Sequence, residues 1–148
     1  MSQLFKIKKS FVFIFLLYLY AASVGCANHI AFYDQYAYTQ ATSLKVDLQN
    51  LATESSTVIF TDAKADIDKV NTQIQKALEY SKGRAKNTLS TDQYAILLSD
   101  NGFYKSFLKT WDSQGKLTPA GANEISKSIG DLMDQIIKLE SGKTKQNQ

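Results

Sequence analysis

Histidine, cysteine and carboxylate side chains do most protein chemistry, and this chain carries few of the first two. There is one histidine, His29, and one cysteine, Cys26. A lone histidine without thiolate partners lacks the ligands for a soft or borderline metal, so no metal site is expected. One cysteine also rules out an intramolecular disulfide. Nucleophilic catalysis has no visible apparatus: no Gly-x-Ser-x-Gly and no Cys/His pair across the chain. Asp62, Asp66 and Asp68 cluster where a helix is expected to start, and Asp62 and Asp66 are spaced i,i+4. Acidic residues at a helix N-terminus are accounted for by the helix dipole, and the calcium-loop pattern is absent there and around Asp100-Asn101-Gly102. The glutamates Glu54, Glu79, Glu124 and Glu140 are not singled out by spacing as an acid/base pair, which only spatial separation defines. No glycine loop suited to phosphate is present. The expectation is a non-enzymatic protein that needs no cofactor.

Two further clusters suit contact better than catalysis. Lys82, Arg84 and Lys86 surround Gly83, where cations complement a helix C-terminus and could also meet anionic lipid or cell-wall carboxylates. Phe32, Tyr33, Tyr36 and Tyr38 lie close together. Tyrosines favour membrane–water interfaces because the ring is apolar and the hydroxyl wet; the other reading is packing inside the domain against Trp111. Tyr33, Ala37, Ala41 and Leu44 already supply an inward stripe. Phe32 and Tyr36 are therefore the candidates for membrane or partner contact.

Helices must position these residues. From Ile30 the apolar residues recur at three and four through Leu51, which predicts an amphipathic helix from Ile30 to about Glu54. Val58-Ile59-Phe60 leads to a second helix, with Thr61 as N-cap, Asp62 in its first turn, an end near Ser81 and Gly83 as left-handed stop. Ser90 and Gln93 have capping-box spacing ahead of a short helix through Leu98. Asp100-Asn101-Gly102 is a turn, and a second short helix carries Phe103, Phe107, Leu108 and Trp111 before Gly115. Thr118 with Pro119 opens the last helix, whose stripe runs from Ile125 to Leu139 and ends near Glu140. Three long and two short helices, each apolar on one stripe, are stable only when packed together. The expected fold is an all-α bundle over 30–140, with a disordered polar tail over 141–148.

The first 29 residues read differently. Met1 to Ser10 holds Lys6, Lys8 and Lys9 and no acid, and Phe11 to Gly25 is a continuous apolar and aromatic run. A basic segment followed by an apolar one of this length is a secretory signal, shorter than the ~20 residues a membrane-crossing helix needs. Without those three lysines, the net +3 of the chain falls to zero. The hint of nucleic acid in the basic pI disappears with it. The approach Ala21-Ala22-Ser23-Val24-Gly25-Cys26 resembles the lipobox of bacterial lipoproteins, a resemblance confined to the leader junction. Serine stands at 23, where leucine is commoner. The resemblance implies removal of 1–25 by cleavage between Gly25 and Cys26, and diacylglyceryl attachment to the Cys26 sulfur. Residues 26–29 would be the lipidated cysteine and a short linker. Ala27 stands where an aspartate would favour inner-membrane retention, so the outer membrane is expected in a Gram-negative source. The combined expectation is a lipid-anchored envelope protein that binds or scaffolds another envelope protein and no nucleic acid. An inhibitor, immunity or exclusion lipoprotein is the alternative, and a cell-wall or lipid-acting enzyme the second.

Overall fold

The computed structural model describes residues 30–145. Five helices follow in order: α1 (Gln35–Glu54), α2 (Lys64–Gly83), α3 (Thr88–Leu98), α4 (Phe103–Gln114) and α5 (Pro119–Ser141). The fold is an all-helical bundle with three long and two short helices, and no strand occurs among the described residues. No helix among them is long and apolar enough to cross a membrane.

The stripes account for the packing. Ala37, Ala41, Leu44, Leu48 and Leu51 of α1 are buried at steps of four and three, as are Ile67, Val70, Ile74 and Ala77 of α2. Ile129, Met133 and Ile136 do the same on α5. A fully buried Leu, Ile or Met side chain contributes about 1.5–3 kcal/mol, so the stripes hold together what none would hold alone. α1 lies along α5 on one side and α2 on the other, and α3 packs between α2 and α5 to close the ring. Gly130 of α5 leaves room for the end of the Gln49 side chain of α1: a Cβ there would come within 2.6 Å of its amide nitrogen. The short α4 contacts α3 and α5 at one end. Its Trp111 is fully buried, stacks on Phe107 with centroids 5.7 Å apart, meets Phe60 edge-on, and donates its indole N–H to the Val58 carbonyl.

Several ends form where local chemistry predicts. The Thr118 hydroxyl accepts from the Gly121 N–H at 3.1 Å with Pro119 at the first helical position. Gly115, at φ +71°, makes the left-handed exit from α4.

Other ends differ. Helix α1 starts five residues later than the periodicity suggests, because the Asp34 side chain accepts from the Ala37 N–H at 2.9 Å and caps it there. Thr61 is not the cap of α2; the chain turns through 59–63, with the Asp62 and Ala63 N–H groups bonded to the Ile59 carbonyl, and the helix begins at Lys64. Gly83 is not left-handed; the residue after α2 with positive φ is Lys86, at +61°. Ser90 is not a cap but lies inside α3, buried. Phe103 is exposed and Tyr104 takes the core position instead. The polar tail from Ser141 is folded as far as Lys145, with Lys143 buried. Residues 146–148 lie outside the described residues, as do Gly25, Cys26 and His29.

Candidate functional site

One end of the bundle gathers the start of the described chain, the α2–α3 connection and the end of α5. Residues 31–34 are not helical and are tied down: the Ala31 N–H donates to the Lys86 carbonyl at 2.8 Å and the Tyr33 N–H to the Thr144 carbonyl at 3.0 Å. The Arg84 guanidinium donates to the Phe32 carbonyl.

Beneath this strap lies a buried polar network. Glu140 is 1% exposed. One carboxylate oxygen accepts from Arg84 at 3.0 Å and the other from Lys143 at 2.5 Å. The Lys143 ammonium also donates to the Asn87 side-chain carbonyl at 2.5 Å and to the Ser90 hydroxyl at 3.2 Å. Asn87 in turn donates to the Ser81 hydroxyl and carbonyl. Every member finds partners, which is the condition under which buried charge is tolerated. Burial pushes the Lys143 ammonium below the usual lysine range against the opposing pull of Glu140. At the edge of the network, Tyr80 donates to Asp34 at 2.8 Å, and Arg84 lies 3.9 Å from the same carboxylate. Burial alone would raise Asp34; the Ala37 N–H, the Tyr80 hydroxyl and the Arg84 charge outweigh it and hold the carboxyl low.

A half-open cavity of about 500 Å3 adjoins the network, with Ile30, Leu89 and Leu139 as its apolar lining. Lys86 and Lys138 stand at the same cavity, both exposed. Among the described residues no carboxylate lines it. The three segments 30–36, 79–90 and 138–145 hold six cationic side chains against three carboxylates. With equal numbers of cations and carboxylates over residues 26–148, the remainder of the bundle is net acidic.

Phe32 and Tyr36, the contact candidates from sequence, sit at this end, 46% and 58% exposed. They do not form a helical pair, because Phe32 precedes α1; Tyr36 instead meets Tyr80 edge-on at 4.7 Å. Ile30 is also exposed rather than part of the α1 stripe. Tyr33 packs at 6.3 Å from Tyr38, with the Lys145 ammonium over its ring. Of the basic trio, Lys82 pairs with Glu79, Arg84 enters the network and Lys86 reaches the cavity. The aspartates of α2 do not converge. Asp62 lies before the helix, and no group of three potential metal ligands occurs among the described residues. Glu54 sits beside Asp66, its carboxyl raised by burial and by that neighbouring charge.

Sequence spacing missed the network. A signal existed: Glu140 lies four residues after Ile136, on the same inward row as Ile129 and Met133, and Lys143 follows at i+3. A glutamate on an apolar stripe marks a buried carboxylate that needs partners. No protein-family model matches the chain, no curated protein is similar to it, and no solved structure matches its fold.

Proposed function

We propose that this chain is a lipid-anchored protein of a bacterial cell envelope, whose helical bundle binds or scaffolds another envelope component and catalyses no reaction. The observation that carries the reading is the single cysteine, Cys26, directly behind a basic and apolar leader and a small residue, Gly25. Two or three acyl chains at that cysteine hold a protein on a membrane, since each buried methylene contributes about 0.8 kcal/mol.

The bundle is consistent with such an anchor. Ile30, four residues beyond Cys26, begins the strap that is pinned to the basic end. An anchor at Cys26 brings that end to the bilayer, with Phe32 and Tyr36 exposed on it as the contact residues. Exposed aromatics beside cations suit an interface with anionic headgroups. Outer-membrane placement in a Gram-negative source belongs to the same proposal, from Ala27 after the cysteine.

Replacing the cysteine tests it. With Cys26→Ser, incorporation of labelled palmitate is expected to vanish and full-length precursor to accumulate. Labelling that survives the substitution overturns the assignment.

A further inference from the structure

The cavity beside the polar network has the make-up of a site for an anionic amphiphile. Its volume of about 500 Å3 lies within the roughly 300–1,000 Å3 of pockets that take small molecules. Ile30, Leu89 and Leu139 give it an apolar wall, and Ile30 and Leu89 are among the most exposed large apolar side chains of the described chain.

The polar side chains around it select the charge of what covers it. The Lys143 ammonium is committed to Glu140, Asn87 and Ser90, so it is part of the floor rather than a free cation. Lys86 and Lys138 are exposed and form no ion pair among the described residues, and no carboxylate competes for them at the cavity. Lys86 is also held in the left-handed backbone region at φ +61°, its carbonyl fixed by the Ala31 N–H. A lysine in that region is uncommon and costs conformational energy that glycine would not incur.

We propose that this cavity binds an anionic lipid, its acyl chain against Ile30, Leu89 and Leu139 and its headgroup against Lys86 and Lys138. The choice of a lipid over another apolar anion rests on the anchor proposal, because the cavity opens at the end that an anchor at Cys26 brings to a bilayer. The cavity's own preference for an apolar anion does not depend on lipidation. The two can therefore fail separately.

The soluble chain from Ala27 to Gln148 tests the cavity alone. It contains the whole described core, with residues 30–145 packed around one continuous cluster, so it folds without the leader. The probe is cis-parinaric acid, a long-chain carboxylate that fluoresces on leaving water, used below its micelle concentration. Saturable one-to-one binding is expected, with its methyl ester at least tenfold weaker. Lys86→Glu with Lys138→Glu is expected to weaken the acid at least tenfold and the ester little. Leu89→Asp should abolish binding of both; its side chain is 60% exposed, so the fold survives. Lys86→Gly separates site from scaffold: it should weaken binding while leaving the urea midpoint unchanged or higher. Val46→Asp, on an exposed part of α1 outside the cavity lining, should bind as the parent does. No saturable binding, an ester bound as tightly as the acid, or equal loss in the Val46 variant overturns the proposal. Cavity binding together with failed Cys26 labelling would retire the anchor and leave the site standing.

Discussion

Glu140 puts a negative charge where the spacing of α5 asks for an apolar side chain, and Arg84 and Lys143 are arranged around that fact. Removing one partner of a buried ion pair leaves an uncompensated charge and costs about 3–5 kcal/mol, whereas replacing the pair by apolar groups is often neutral. Glu140→Leu is therefore expected to lower stability by about that amount, and adding Lys143→Met should recover most of it. Arg84 keeps Asp34 nearby and is the more exposed cation, so it needs less compensation. Urea midpoints at constant slope check both variants; a single mutant as stable as the parent would mean that the network is solvated. At this scale the sequence was legible where a residue acts on its own backbone, as Thr118, Pro119 and Gly115 do. It was not legible where a polar residue has a distant partner. Ser90 has capping-box spacing with Gln93, yet its hydroxyl accepts from Lys143, 53 positions away. Asp34, unremarkable by spacing, is the residue that starts α1.

The helices themselves follow from period. Ile129 is 1% exposed on α5 and belongs to the continuous apolar core. Ile129→Asp places an unpaired charge there and is expected to cost several kcal/mol, read as a lower urea midpoint with loss of helical circular dichroism at milder conditions. An unchanged midpoint would contradict the inward orientation of the stripe. Period is less informative for the strap and for α3. Ile30 and Tyr33 continue the three-and-four rhythm of α1 although residues 31–34 are not helical. Apolar spacing does not reveal that a cap has already ended the helix. Helix α3 is apolar on both sides, with Tyr94 and Leu97 buried and Leu89 and Ile96 exposed. Its outer side is surplus to the core, which is why the cavity sits against it.

Across the molecule, charge is unevenly placed although residues 26–148 are formally neutral. Cations gather at the end where the described chain begins, and the rest is net acidic. Composition could give only the total; which termini meet is a property of the closed ring of helices. The same burial that builds the ring sets its alkaline limit. Burial raises the Tyr94 hydroxyl, helped by Glu140, and raises the Tyr104 hydroxyl, helped by Asp68. The unfolded chain releases these protons near pH 10, where the folded chain retains them. Folded protein then binds more protons, so stability is level below about pH 10 and falls above it. Tyr80 is raised as well, by its hydrogen bond to Asp34 and by burial, so Lys143, whose pKa is lowered, works in the opposite direction as one group against three. A loss of about 1–3 kcal/mol between pH 9 and 11 is expected from urea titrations; a stability that rises over that interval would contradict the buried tyrosines.

In the proposed arrangement the bundle hangs from a lipid at Cys26, with its basic, aromatic end toward the membrane. The most direct measurement is the mass of the N-terminal peptide of the protein isolated from membranes of cells expressing the full chain. The expected peptide begins at Cys26 and carries a diacylglyceryl group. An intact leader, or a peptide that begins elsewhere with Cys26 unmodified, would contradict it.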